Sequence, residues 1–301
     1  MSASDTERTL NRITIMRWTR NKRSGNIEDR RGMRPGRLPL GRGGGIGLGG
    51  VLLVLVLGVI FKQDISGLLG LIANQAAVPQ VSGPVSTTAE EETLVDLVSF
   101  VLDDAQSTWA ALLPQYGVTY RDAKLVLFRD VVQSACGFAQ AASGPFYCPG
   151  DEKVYIDLSF FDELHRRFGA PGDFAQAYVL AHEIGHHVQR VLGTESEVRQ
   201  AQRARPDLAN TLSVRLELQA DCYAGVWGYS TAQRDILQRG DVEEGLGAAA
   251  SVGDDRIQRQ GGGRVNPDAF THGSSAERVA WFRRGLSGGD PRACDTLSGG
   301  R

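Results

Sequence analysis

The nonapeptide Ala181–Gln189, AHEIGHHVQ, holds three of the chain's five histidines and one glutamate. On a helix, His182 and His186 lie about 40° apart and one turn from each other, on a single face. Two imidazoles so placed can share one zinc ion at about 2.0–2.1 Å. Glu183 lies about 100° round from His182, so its carboxylate can reach a metal-held water without being a ligand, the position of a general base. His187 stands about 140° from His182 and is expected to pack or support rather than to ligate.

H-E-x-x-H also arises by chance in ordinary helices, where its histidines are plain surface or core residues, so the third ligand decides. The stretch Leu216–Gly228, LELQADCYAGVWG, carries Glu217 31 residues after His186, with Asp221 one turn further along the same face. A second helix packed on the first can deliver Glu217 as the third ligand. Asp221 can then accept a hydrogen bond from a ligand histidine and fix its tautomer. The apolar residues around the two carboxylates argue against a solvated acidic stripe. Three protein ligands leave one position open, as in catalytic zinc sites.

Working outward, Leu94, Leu97, Val98, Val101, Leu102, Ala105 and Trp109 recur at three and four, which predicts an amphipathic helix from Glu91 to near Pro114. Lys124–Phe128 reads as a short buried strand. In Lys153–Phe160, Val154, Ile156 and Leu158 alternate with Tyr155 and Asp157, the pattern of a half-buried strand. From Pro171 to about Leu286 the chain reads as helical. The fold class expected is α+β, a small sheet followed by a helical body, in one domain over residues 91–296. Four cysteines fall in it. Cys136 and Cys148 flank a loop that a disulfide could staple, and Cys222 with Cys294 follows by elimination.

The net charge of −2 hides a polarity. Residues 1–42 carry 11 Lys/Arg against 4 Asp/Glu, and the remainder 22 against 31. At the join, residues 43–61, GGGIGLGGVLLVLVLGVIF, are uncharged. A helix of that length spans about 28 Å, the thickness of a bilayer core. No small-x-small cleavage site follows closely, which disfavours a signal peptide. Under the positive-inside rule the expectation is a basic cytoplasmic tail (1–42), one transmembrane helix (43–61), a Pro/Ser/Thr-rich stalk (62–90) and an extracytoplasmic domain. The G-x-G-x-x-G match at Gly45–Gly50 follows no strand and is discounted as a dinucleotide site. Gly45 and Gly49 fit a weak helix-dimerisation contact and a possible homodimer. The basic flank is explained by orientation, and no nucleic-acid partner is expected.

The pairing of H-E-x-x-H with a later E-x-x-x-D resembles the gluzincin metallopeptidases. MRWTRNKRSGNIEDRRG (16–32), SACGFAQAASGPFYCPGDEKVYIDLSFFDEL (134–164), AHEIGHHVQ, ELQADCYAGVW, GDDRIQ (253–258) and FTHGSSAERVAWFRRG (270–285) together resemble the bacterial neutral zinc metallopeptidase family. The likeness begins at Met16, which leaves the start at Met1 or at Met16. It implies a zincin-like domain binding Zn²⁺ through His182, His186 and Glu217, with Asp221 behind them and Glu183 as base. His272 resembles the downstream histidine of gluzincins and is the expected oxyanion donor, with Tyr223 the second choice. Arg278 after it resembles the His-then-Arg segment of membrane-linked zinc proteases. His165 is expected on an exposed helix, and the Tyr155–Leu158 strand at the sheet edge, where extended substrate pairs. The activity implied is hydrolysis of peptide or protein substrates outside the cytoplasmic membrane. The alternatives are a zinc-retaining scaffold protein and a cell-wall amidase.

Overall fold

The computed structural model describes residues 16–20, 22–35, 80–82, 85–140, 144–167, 169–170, 172–262 and 264–298. Segment 43–61 and the Gly45/Gly49 pair lie outside these. Among the described residues no helix is long and apolar enough to cross a membrane. The chain divides into two units, residues up to Arg30 together with Ser86 onward, and Arg31–Val85.

In chain order the elements are β1 (Ile27–Asp29), β2 (Met33–Pro35), β3 (Gln80–Ser82), α1 (Ala89–Leu112), β4 (Lys124–Phe128), β5 (Val131–Ser134), β6 (Gly137–Gln140), β7 (Phe146–Cys148) and β8 (Lys153–Asp157). The helices α2 (Ser159–Arg166), α3 (Asp173–Leu192), α4 (Thr194–Ala204), α5 (Ala209–Gln233), α6 (Asp241–Ser251), α7 (Asp254–Gln260) and α8 (Ser275–Gly288) follow. In the smaller unit, β2 and β3 pair antiparallel.

The larger unit has the expected α+β build. Its main sheet runs β1-β4-β8-β7, with β1, β4 and β8 parallel and β7 antiparallel at the edge. Helix α1 starts where Thr88 accepts a hydrogen bond from Glu91 N–H, with Glu90, Glu91 and Glu92 in the positive first turn. Its apolar stripe, Val95 to Trp109, is buried against the core that α3 also enters with Phe174, Tyr178, Leu180 and Ile184.

Three expectations about the Tyr155 strand are corrected. The strand containing Tyr155 is neither half-buried nor at the edge. It lies between β4 and β7, with Tyr155 1 % and Asp157 5 % exposed. Tyr155 stacks under Phe146, and Asp157 accepts from Asp130 N–H and Ser159 N–H, so a polar residue is buried with its oxygens satisfied. The strand also ends at Asp157, and Ser159 already begins α2.

The basic segment does not stand apart as a tail. Residues 27–29 pair with 125–127, Leu125 N–H donates to Asn26 O, and Arg23 binds Asp96 and Glu92 of α1. A chain crossing a bilayer once between Arg42 and Lys62 would put β1 and β4 on opposite faces, which their hydrogen bonds exclude. That pairing conflicts with the expected topology, tail inside and domain outside. The domain accordingly takes in residues 16–30 and begins its second stretch before residue 91, because Ala89 and Glu90 form the first turn of α1 and are not stalk.

Both expected disulfides are present. Cys136–Cys148 ties the β5–β6 turn to the edge strand, and Cys222–Cys294 ties α5 to the C-terminal turn.

Candidate metal centre

Helices α3 and α5 cross closely because Gly185 lies inside the H-E-x-x-H turn. A Cβ there would stand 2.9 Å from Ala220 O and 3.1 Å from its Cα. That approach brings Glu217 to the two histidines. Glu217 Oε2 lies 3.2 Å from His182 Nε2, and Oε1 lies 3.4 Å from His186 Nε2. One donor atom from each residue falls within 4.8 Å of the others. Bonds near 2.1 Å in a tetrahedron set its edges at about 3.4 Å, so the donor set fits zinc.

The far nitrogen of each imidazole is engaged. His182 Nδ1–H donates to Asp221 Oδ1 at 2.9 Å, and His186 Nδ1–H to Gln189 Oε1 at 2.9 Å, which leaves both Nε2 lone pairs for the metal. Asp221 is fully buried and also accepts from Tyr178 O–H and from both Nε and Nη2 of Arg278, at 2.8 and 2.9 Å. Burial pushes its carboxyl up, but Arg278 and His182 outweigh this and hold it below the ordinary value. Gln189 Nε2 donates to Leu216 O and Gln219 Oε1, so its amide cannot turn round.

Glu183 is buried and lines the same cavity, outside the donor set. Burial raises its carboxyl above the ordinary value. A carboxylate made more basic suits proton abstraction near neutral pH. The cavity, about 560 Å³, is lined by the ligand residues, by Phe146 and Tyr147 of β7, and by His272.

His272 thus reaches the cavity, with its side chain half exposed and Nδ1 3.1 Å from Asp254 Oδ1. Asp254 also accepts the backbone N–H groups of Thr271, His272 and Gly273, fixing the loop. Tyr223 does not reach it. Its ring packs edge-on against Trp109 in the core, which corrects its expected role as donor. His187 is fully buried away from the donor set, donating from Nε2 to Arg121 O and accepting at Nδ1 from Tyr147 O–H. His165 is exposed on α2, as expected. Gln189 and Tyr178 were missed, although their spacing, three after His186 and four before His182, puts both within reach of the site on one helix.

Residues 16–297 match the family described as "Putative neutral zinc metallopeptidase". The chain belongs to this family. It is 46% identical to the uncharacterized protein YpfJ of Escherichia coli K12 over 291 residues, 94% of this chain and 99% of that one. It is 44% identical to the uncharacterized protein Rv2575 of Mycobacterium tuberculosis over 207 residues, 65% of this chain and 68% of that one. No solved structure matches. The family description implies zinc and a hydrolase, and the donor set of α3 and α5 is where the chain can hold the metal.

Proposed function

We propose that this chain is a zinc-dependent peptidase that hydrolyses peptide bonds in the cavity between α3, α5 and the edge strand. One observation carries the reading: His182, His186 and Glu217 converge on one point while Glu183 faces the same cavity without joining them. A structural zinc site has no use for that fourth group.

His182, His186 and Glu217 would hold the zinc. When bound, it supplies Lewis acidity that polarises a scissile carbonyl and acidifies water. Glu183 takes a proton from the attacking water on its carboxylate and delivers it to the leaving amine. His272, set at the rim by Asp254, donates a hydrogen bond to the oxygen that gains charge. Among the described residues strand β7 pairs with β8 alone, and its Phe146 and Tyr147 line the cavity. An extended peptide added to that edge would run past the metal. The two disulfides favour a location outside the cytoplasm. Segment 43–61 favours membrane attachment, with residues 16–30 and the domain on one face. Thiol-reactive labels at Arg20→Cys and Ser287→Cys should react from the same side of intact cells; reaction from opposite sides would reverse this.

The activity test is the purified chain on a peptide library. Glu183→Gln should keep fold and zinc and lose about 10²-fold or more of the turnover. His272→Ala should keep zinc and lose on the order of 10²-fold. Glu217→Ala should lose the metal. Equal cleavage by wild type and Glu183→Gln sinks the mechanism, and a zinc-loaded wild type that cleaves no peptide favours the scaffold or amidase reading.

A further inference from the structure

A second group of carboxylates gathers at the start of α3. Asp173, its first residue, and Asp241 and Glu244 of α6 each offer an oxygen within 4.8 Å of the others. Asp241 is fully buried. Its Oδ2 accepts from Gln238 N–H at 2.7 Å, while its Oδ1 is sealed from solvent with no partner. Asp173 Oδ2 is sealed and unpartnered in the same way. Glu244 is pressed over Gly172, where a Cβ would stand 2.0 Å from its Oε2, and it accepts from Phe174 N–H. With Asp241 fully buried and Asp173 and Glu244 half-buried, oxygens sealed without a donor call for a cation or a proton.

Besides Gln238 and Phe174, the backbone of Met16 reaches the cluster: its N–H donates to Asp173 Oδ1 at 3.3 Å. Met16 is 2 % exposed, and Arg17 N–H is held by Ile236 O at 2.8 Å. The family match starts at this residue, and 94% of this chain covers 99% of the Escherichia coli relative.

We propose that the mature chain begins at Met16 and that its α-ammonium group is the cation of this cluster. An internal amide brings one N–H and no charge. An ammonium brings three donors and a positive charge; Asp173 Oδ1 already accepts from this nitrogen, and the same cluster holds two oxygens with no donor. The carboxyls behave as a group lacking its counter-charge: burial first, and then one another's charge, push Asp241 up to about 6 and Glu244 up to about 7. The free N-terminus thereby pins the first turn of the helix that bears His182 and His186. It acts as a latch that an upstream extension leaves open.

The test compares three forms of the zinc-loaded protein: the chain initiated at Met16, the same chain with a Gly-Ser extension, and the 301-residue chain. N-terminal peptide mapping of protein from its native host should find a free amine on Met16. An extension should lower Tm by roughly 5–15 °C, the scale of a broken buried ion pair in a chain of this size. Asp241→Asn should lower it comparably in the Met16 form and by much less in the extended ones. A native N-terminus upstream of Met16, or equal melting of all three forms, overturns the proposal. So does calcium chloride at millimolar level raising the Tm of the Met16 form but not of its Asp241→Asn variant, since a metal would then hold the cluster. None of these readouts depends on peptide hydrolysis.

Discussion

Helix α3 touches two groups of acids, each with one fully buried aspartate, and they are built differently. Along its middle, Asp221 meets donors on every side, from His182, Tyr178 and Arg278. Glu217 faces two imidazole nitrogens. At its start, Asp173 and Asp241 each keep a sealed oxygen with no partner. A buried carboxylate is tolerable only when its charge and lone pairs are met, so the first group is complete once a metal is added and the second wants a cation. The ionisation of the acids follows. Asp221 is held below its ordinary value, whereas Asp241 and Glu244 are pushed above theirs.

The largest way to break this contrast is Asp221→Asn. The shape survives, but Arg278, 3 % exposed, loses its counter-charge. Removing one partner of such a pair costs about 3–5 kcal/mol, and the freed His182 should weaken zinc binding about 10–100-fold. Thermal melting and competitive zinc titration read the two effects separately. An unchanged melt would mean that Arg278 finds another acceptor. Gln189→Leu is the milder counterpart, because it removes a neutral orienter. His186 loses its acceptor, and Leu216 O and Gln219 Oε1 lose a donor. The expected cost is about 1–3 kcal/mol, with zinc affinity down roughly 10-fold. If both variants bind zinc equally well, charge plays no part in orienting the site.

The metal centre was legible because helix periodicity does most of the work. His182 and His186 share one face of α3, and Glu217 and Asp221 share one face of α5, so spacing alone aligns each pair. Gln189 stood inside the quoted nonapeptide, yet an amide that supports a ligand looks like any polar residue until its partners on α5 are known. Strand β8 was misplaced for a different reason. Asp157 reads as solvent-facing, but the neighbouring turn supplies its donors locally. Pairing of β1 with β4 joins three-residue segments nearly a hundred residues apart. Nothing in so short a stretch outweighs an apolar run that suggests a membrane boundary, so residues 16–30 read as a tail apart from the domain they in fact join. Tyr223 was misjudged because helix spacing does not say which neighbour a given face meets.

The smallest effect sharpens the comparison most, because the two acid groups should respond to pH with opposite sign. Asp221 has a depressed pKa in the folded chain, so the stability it contributes is present above the unfolded value and is lost as pH falls. Asp241 and Glu244 sit at about 6 and about 7 when position 16 carries an amide, against ordinary values of 3.8 and 4.5. The folded chain then binds more protons than the unfolded one between those limits, so these residues destabilise it progressively as pH rises from about 4 through 7. In the 301-residue chain, the double variant Asp241→Asn, Glu244→Gln should therefore gain on its parent in Tm between pH 5 and pH 7.5. In the chain initiated at Met16 an ammonium would lower both carboxyl pKa values, and the gain should vanish over that range, because acids titrating at or below their ordinary values stay ionised in both states there. Taking the difference between variant and parent cancels the titration of groups remote from the cluster, including the zinc ligands, and leaves Asp173 as the acid coupled to both that is still present. Parallel behaviour of the two chain forms would show that the cluster is insensitive to what stands at position 16. The contrast between the two ends of α3 would then be one of burial alone.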